Sequence, residues 1–92
     1  MVQVRLLGTF REAAGQSNIE LGYCENVGSV INSLTEYFGN GFKKVIYDPV
    51  LNSPIPNALI ILNGIEVNNL QGLETQVKEE DKLVIISVTH GG

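Results

Sequence analysis

The sequence predicts a two-layer α+β domain, in which a mixed sheet of four to five strands packs on one main helix. Near the start of the chain, Val2, Val4 and Leu6 have the period of two that is typical of a strand with one buried face. In the middle, apolar residues recur at three- and four-residue spacing from Val27 to Phe38, as on the buried stripe of a helix. One helix covers only one face of a sheet, so we expect two layers.

A second strand is predicted at residues 18–23, where apolar residues again alternate with other residues. Residues 8–17 are predicted to connect the two strands as an opening hairpin. Gly15 is expected to be a turn residue within this connection, because glycine adopts turn conformations without steric cost.

The main helix is predicted at residues 30–38. Ser29 is a suitable N-cap, because its hydroxyl can accept a bond from an unpaired backbone N–H. Gly39 is a suitable residue just beyond the helix end, because glycine enters the left-handed region without penalty. A short helical turn is expected at residues 42–47.

The second half of the chain alternates loop and strand. Residues 48–57 contain three prolines and are predicted to form a loop, because proline cannot donate a ladder hydrogen bond. Residues 58–62 are continuously apolar and are typical of a central strand. The dipeptide Asn63-Gly64 then predicts a tight hairpin, and residues 65–67 a short return strand.

The order of elements is strand, strand, helix, strand, short strand and a final strand at residues 83–88. In this order the first and last strands are natural central neighbours that run parallel. This arrangement is the β-grasp, or ubiquitin-like, roll. We expect residues 1–88 to form the β-grasp domain and residues 89–92 to be a flexible C-terminal di-glycine tail.

Composition excludes several classes of function. The chain has 92 residues and a net charge of −4, which argues against binding to a phosphate backbone. Its one cysteine, Cys24, has no internal partner for a disulfide and cannot form a multi-thiolate metal site. Neither a signal peptide nor an apolar run of about 20 residues is recognisable. We therefore expect a cytoplasmic protein that binds no metal, nucleic acid or membrane.

The pattern of the last strand predicts an apolar patch on the outer face of the sheet. Lys82 is expected to face water, which places Val84 and Ile86 on the same side as Lys82. The predicted patch consists of Leu7, Val84, Ile86 and Val88, together with one of the two sets of alternate residues in 58–62. Large contiguous apolar patches often mark docking sites. The alternative is ordinary scattered apolar surface, which needs no explanation.

The chain stops at Gly91-Gly92. Chain ends are often disordered, so one interpretation is a frayed tail without a role. The other is that the terminal carboxylate of Gly92 is the reactive group. Glycines lack a Cβ, and a Gly-Gly end therefore allows another protein to approach the backbone closely.

The chain resembles the ubiquitin-like sulfur carriers of the MoaD and ThiS type. VRLLGTFREAAG (4–15) is similar to the opening strand and turn of the molybdopterin synthase small subunit. VGSVINSLTEYF (27–38) is similar to its helix, and ALIILNGIEV (58–67) to its hairpin. LETQVKEEDKLVIISVTHGG (73–92) is similar to its closing turn, last strand and di-glycine end. The group includes ubiquitin-related modifiers and small archaeal modifier proteins, which the His-Gly-Gly ending resembles most.

The resemblance implies a carrier that is activated by another protein and is not itself an enzyme. An activating enzyme of the ubiquitin type, which uses ATP and Mg²⁺, would adenylate Gly92, and a sulfur donor would convert it to a thiocarboxylate. The chain itself would bind no cofactor. Thr89, His90 and Gly91 would thread the tail into the enzyme. The sulfur would go to tRNA thiolation or to molybdopterin, and lysine conjugation of target proteins is a further implied activity.

Further site residues follow from the resemblance or from exposure. Arg11 would contact an acidic group on a partner, with a solvated loop charge as the alternative. Conjugation would use exposed lysines, whose ordinary interpretation is solvated charge: Lys43, Lys44, Lys78 and Lys82. The departure from the molybdopterin subunit is Ser87-Val88, where that subunit usually has Pro-Pro. Two alternative functions stay open, namely the small subunit of molybdopterin synthase, bound to its large subunit, and a non-catalytic β-grasp interaction module.

Overall fold

The computed structural model of the protein describes residues 1–88. These residues form one five-stranded sheet with three helices against one face. The strands are β1 (Val2–Leu7), β2 (Asn18–Leu21), β3 (Ala58–Leu62), β4 (Ile65–Glu66) and β5 (Lys82–Ser87), and the helices are α1 (Thr9–Ala14), α2 (Val27–Phe38) and α3 (Asn40–Ile46).

The sheet has the predicted topology. Its strand order is β2-β1-β5-β3-β4, so the first and last strands lie side by side near its centre. β1 and β5 run parallel, with Val4 opposite Leu83 and Leu6 opposite Ile85. β2 pairs with β1, and β3 with β5, in the antiparallel sense. The predicted β-grasp arrangement of a mixed sheet packed on one main helix is therefore confirmed.

The core lies between the sheet and the helices. Alternate residues of the three central strands point into it and are almost fully buried: Val2, Val4, Leu6, Ala58, Ile60, Leu62, Leu83 and Ile85. From α2, the residues at three- and four-residue spacing meet them: Val27, Val30, Ile31 and Leu34. Each fully buried aliphatic side chain contributes about 1.5–3 kcal/mol relative to exposure, so this layer supplies most of the stability.

The main helix begins earlier than predicted, and its cap is a different residue. α2 starts at Val27, and its N-cap is Asn26, not Ser29. Asn26 has an extended backbone, and its Oδ1 accepts the N–H of Ser29 at 2.8 Å. The Ser29 hydroxyl donates to the same oxygen at 3.0 Å, so Ser29 supports the cap from the first turn. The predicted end of the helix at Gly39 is confirmed, with φ of 90°.

Two further helices complete the helix layer, in which α3 packs against both α1 and α2. The segment predicted as a simple connection, 8–17, contains α1, which ends at a left-handed Gly15. The helical turn predicted at 42–47 is the seven-residue helix α3. Both helices form because each inserts an aromatic residue into the core, and the rings of Phe10 and Phe42 lie 6.4 Å apart. Within residues 1–88, no helix is long and apolar enough to cross a membrane.

The predicted hairpin at Asn63-Gly64 is confirmed, because both residues have positive φ, 48° and 88°. The Asn63 side chain also fixes the turn before β5, since its Oδ1 accepts the N–H of Lys82 at 2.9 Å and its amide donates to Asp81 at 3.0 Å. β4 is shorter than predicted, and β5 begins and ends one residue before the predicted 83–88.

The position of the α2 cap can be tested by two matched substitutions. Asn26→Ala removes the acceptor of the Ser29 N–H and should lower the free energy of unfolding by about 1 kcal/mol. Asn32→Ala, at an exposed position inside the same helix, should not lower the free energy of unfolding, because alanine has a higher helix propensity than asparagine. Urea unfolding followed by circular dichroism measures both. A larger loss for Ser29→Ala than for Asn26→Ala would place the cap at Ser29 after all.

Candidate functional site

The outer face of the sheet, opposite the helices, carries an apolar patch. Strand register aligns two rows across it. Leu7, Ile86 and Leu59 are paired in one row, and Val84 pairs with Ile61 in the next. We call these five residues the outer patch, and all of them are partly exposed. The structure therefore places Leu7, Val84 and Ile86 on the face where the sequence predicted them.

The other end of the same face is polar. Arg5 stands beside Val84 and opposite Asn18, while Gln3 lies between Glu20 and Lys82. All these polar side chains are exposed. The outer face is thus divided along the strands, with charged and amide groups at one end and the outer patch at the end toward which β5 runs.

The end of β5 is held by a hydrogen bond on each side. Toward β1, the Ser87 Oγ accepts the backbone N–H of Thr9 at 2.9 Å. Toward β3, the Val88 N–H donates to the Asn57 carbonyl at 2.9 Å. Val88, the fourth predicted patch residue, is 41% exposed next to the outer patch. The backbone is therefore anchored to its neighbours as far as Val88.

Gly8 is part of this anchor. Its φ of 70° and ψ of −141° are accessible to glycine and strained for other residues. A Cβ at this position would lie 2.0 Å from the Ser87 Oγ, which is closer than any real contact. The absence of a side chain at Gly8 therefore lets Ser87 reach the first N–H of α1.

The four tail residues that the sequence singled out, Thr89, His90, Gly91 and Gly92, lie outside the described residues. Their assignment as the reactive end therefore stays a prediction, as does the division into a domain at 1–88 and a tail at 89–92. The structure contributes the position of Val88, the last residue that it describes.

Arg11 lies in α1 and is exposed. Because the N–H of Thr9, the first residue of this helix, is bonded to Ser87, Arg11 belongs to the element that is anchored to the end of β5. A contact of Arg11 with a partner stays a prediction.

The candidate lysines are exposed and dispersed. Lys43 and Lys44 lie in α3, on the helix side of the molecule, whereas Lys82 lies on the outer face at its polar end. Lys78 lies in the turn before β5, where its backbone N–H donates to Asp81 at 2.8 Å. The structure brings none of them next to the outer patch except Lys82, two residues before Val84 on the same strand.

Within residues 1–88, no group of three or more His, Cys, Asp or Glu side chains could hold a metal ion. Cys24 is buried, as expected for a small core residue. A hydrogen bond to Glu80 at 2.8 Å raises the pKa of the exposed Met1 amine above its usual value. Neither Cys24 nor the pair of Met1 and Glu80 belongs to the outer patch.

Sequence reasoning found only part of this site. It left open which alternate residues of β3 join the outer patch, and the register selects Leu59 and Ile61. It did not find the bonds from Ser87 and Asn57 that hold the end of β5. Serine and asparagine at such positions are too common to signal a contact between distant segments.

Residues 4–92 match the model of the ThiS family. The chain belongs to the ThiS family. The resemblance to ubiquitin-like sulfur carriers that the sequence motifs indicated is therefore confirmed. No curated protein matches the chain.

Solved structures agree with this membership of the ThiS family. The chain is 32% identical to small archaeal modifier protein 1 (SAMP1) from Methanosarcina acetivorans, with a TM-score of 0.85 over 99% of this chain and 95% of that chain. Urm1 from Trypanosoma brucei has the same fold at 19% identity, with a TM-score of 0.79 over 99% of this chain and 94% of that chain.

CysO, in a BexX/CysO complex from Amycolatopsis orientalis, has the same fold at 22% identity, with a TM-score of 0.78 over 100% of both chains. The ThiS-family protein is therefore similar over 99% of its length to a small archaeal modifier protein. A structure of the same fold comes from a complex.

Neighbouring residues of β5 test the separation of core and outer patch. Ile85 is fully buried against the helices, whereas Ile86 faces outward. Ile85→Ala should lower the free energy of unfolding by about 2–5 kcal/mol, because it leaves a cavity. Ile86→Ala should cost no more than about 1 kcal/mol. Chemical unfolding of both variants measures the difference, and equal losses would mean that the outer patch is part of the core.

Proposed function

We propose that this ThiS-family protein is a ubiquitin-like sulfur carrier and modifier whose Gly92 carboxylate is adenylated by an activating enzyme and then converted to a thiocarboxylate. One observation supports the proposal most directly. The outer patch ends beside Val88, which is bonded to Asn57 and is followed in the sequence by Thr-His-Gly-Gly. A docking surface next to the reactive end is what a substrate of an activating enzyme requires.

The chemistry explains why the reactive group belongs to the main chain. A carboxylate is a poor electrophile. When its oxygen attacks the α-phosphorus of ATP, pyrophosphate leaves and an acyl adenylate forms. The terminal sulfur of a donor persulfide then attacks the carbonyl carbon, a C–S bond forms, and the C–O bond to AMP breaks, which gives an acyl disulfide. A second thiol of the donor attacks the donor's own sulfur in this linkage, so the S–S bond to the carrier breaks, a disulfide forms on the donor, and the thiocarboxylate is released. The partner supplies ATP, Mg²⁺ and the catalytic side chains, so the carrier needs only an accessible carbonyl.

Energetics link the patch to the tail. Ordering each tail residue in a channel costs roughly 1–2 kcal/mol of backbone entropy. Burying an aliphatic side chain contributes about 1.5–3 kcal/mol. Burial of the outer patch against the enzyme therefore offsets the cost of holding Gly91 and Gly92 within attack distance, about 3–3.5 Å.

The His-Gly-Gly ending favours tRNA thiolation or lysine conjugation over a dedicated role in molybdopterin synthesis. If the donor sulfur is isotopically labelled, the molecule that receives the label distinguishes tRNA from molybdopterin, and mass spectrometry of isopeptide-linked peptides detects lysine conjugation. Restored molybdopterin synthesis together with co-purification of a large subunit would instead select the small-subunit function.

The terminal carboxylate is tested by a change that leaves the domain intact. A protein amidated at Gly92, or one lacking Gly91 and Gly92, should show no ATP–pyrophosphate exchange with an activating enzyme. Its melting temperature should be unchanged, because the core lies within residues 1–88. Intact mass after addition of a sulfur donor should show oxygen-to-sulfur exchange only in the unmodified protein. Sulfur transfer by the amidated protein would contradict the proposal.

The outer patch is tested by placing one carboxylate at either end of the same face. Ile86→Glu should raise the KM of activation at least about tenfold, because docking would bury the new charge, and should leave kcat nearly unchanged. Gln3→Glu adds the same group at the exposed polar end and should have little effect. Melting temperatures check that both variants fold. Equal KM values would show that the enzyme docks elsewhere.

A further inference from the structure

A second surface lies on the helix side of the molecule. α3 and the loop that follows it enclose an open groove of about 470 Å³. Its lining includes Lys43 and Lys44 from α3, Tyr47 at the junction, and Pro49 from the loop.

α3 packs with α1 and α2, and the groove shares no lining residue with the outer patch. Asn57 connects the two regions, because its amide donates to the Ile46 carbonyl at 3.3 Å and its carbonyl accepts the Val88 N–H at 2.9 Å. The proposed docking of an activating enzyme does not use it.

The loop beside the groove is held in one shape by Asp48. Its Oδ1 accepts the N–H of Val50 at 2.9 Å and that of Leu51 at 2.8 Å. The backbone of Asp48 is bonded to Ser53 and Asn52, each at 2.8 Å. A loop fixed in this way loses little conformational entropy when a partner binds it.

This fixed loop displays two large apolar side chains to solvent. Val50 is 88% exposed and Leu51 is 64% exposed, so neither contributes much to the core. Apolar groups that are presented on a structured loop, next to a groove, are typical of an interaction surface.

The charge at the groove is opposite to that of the rest of the chain. Lys43 and Lys44 are two of only six basic residues, against ten acidic ones. The Lys43 ammonium lies 5.7 Å from the centre of the Tyr47 ring, which holds it over the groove by a cation–π contact. Asp48 adds one negative charge to the lining, and its Oδ1 accepts two backbone N–H groups, so the two lysines leave the lining with a net positive charge. The groove therefore combines an apolar lining with a basic rim.

We propose that this groove binds an acidic peptide segment of a partner protein, in which aspartates or glutamates flank one or two large apolar side chains. The acidic groups pair with Lys43 and Lys44, and the apolar side chain packs on Tyr47 and Pro49 beside the exposed Val50 and Leu51. Since the groove and the outer patch share no residues, a partner can hold the protein here while the outer patch is occupied. This binding does not depend on the chemistry at Gly92.

The probe is a short labelled peptide containing Asp-Glu-Leu-Ile-Glu-Asp, with two matched controls. In one control the acids become Asn and Gln, and in the other both apolar residues become serine. In NMR titration of the full chain, the acidic apolar peptide should shift amide signals of residues 40–53. Both control peptides should bind at least about tenfold more weakly. Shifts confined to the outer patch, or equal binding of the acid-free peptide, would overturn the proposal.

Charge reversal provides the matched protein variants. The double variant Lys43→Glu/Lys44→Glu should weaken peptide binding at least about tenfold. Lys78→Glu/Lys82→Glu makes the same change of charge away from the groove and should weaken it by less than about threefold. Val50→Ser/Leu51→Ser should weaken binding without lowering the melting temperature, because both side chains are exposed. If both lysine double variants lose the same peptide affinity, net charge alone explains the loss, which would contradict the proposal.

The same NMR titration tests two other occupants of the groove. If a single-stranded oligonucleotide shifts the amide signals of residues 40–53 more strongly than the peptide does, the partner is a nucleic acid and not an acidic protein segment. If the protein forms a concentration-dependent dimer without peptide, and the amide signals of the same residues shift, the occupant of the groove is a second copy of the chain. Either result would overturn the proposed class of partner.

Discussion

The structure depends on the parallel pairing of β1 with β5 at the centre of the sheet. This pairing joins segments from the two ends of the domain, and its register aligns the buried residues of both strands on one face. Val4 and Leu83 thereby face the helices, while Arg5 and Val84 face outward. Because side chains alternate strictly along a strand, a shift of one residue would turn the core outward and bury the outer face. Core and docking surface are therefore set by the same contact.

The two surfaces of the molecule differ in how they are built. The outer patch lies on strands whose opposite faces form the core, so its residues are fixed by sheet geometry. The groove beside α3 lies on the helix layer, and its loop is held by hydrogen bonds from Asp48. Because the outer patch and the groove are both held rigidly, the protein loses little conformational entropy when a partner binds to either surface. The outer patch and the groove are therefore two supported surfaces that share no residues.

Sequence pattern predicted the features that depend on periodicity. Lys82 marked the outward face of β5, and from it the positions of Val84 and Ile86 followed. Helix α1 escaped prediction because Phe10 is its only large apolar side chain, and one residue has no period. The helix exists because Phe10 is buried by distant segments. The cap of α2 was misplaced because Asn26 and Ser29 are both good capping residues, and burial of Val27 decides between them. The groove depends on where the Asp48 carboxylate points, which no pattern encodes.

Because Gly8 and Ser87 are in contact, the residue at one of these positions constrains the residue at the other, although they lie almost eighty residues apart in the sequence. A side chain at position 8 is incompatible with the serine hydroxyl that occupies its space, and the hydroxyl in turn has its backbone partner only while position 8 is bare. Chimeras that exchange the segment around α1 between relatives must therefore transfer residue 87 with it. Covariation between these two columns of an alignment would report the geometry of the strand end in sequences for which no structure exists.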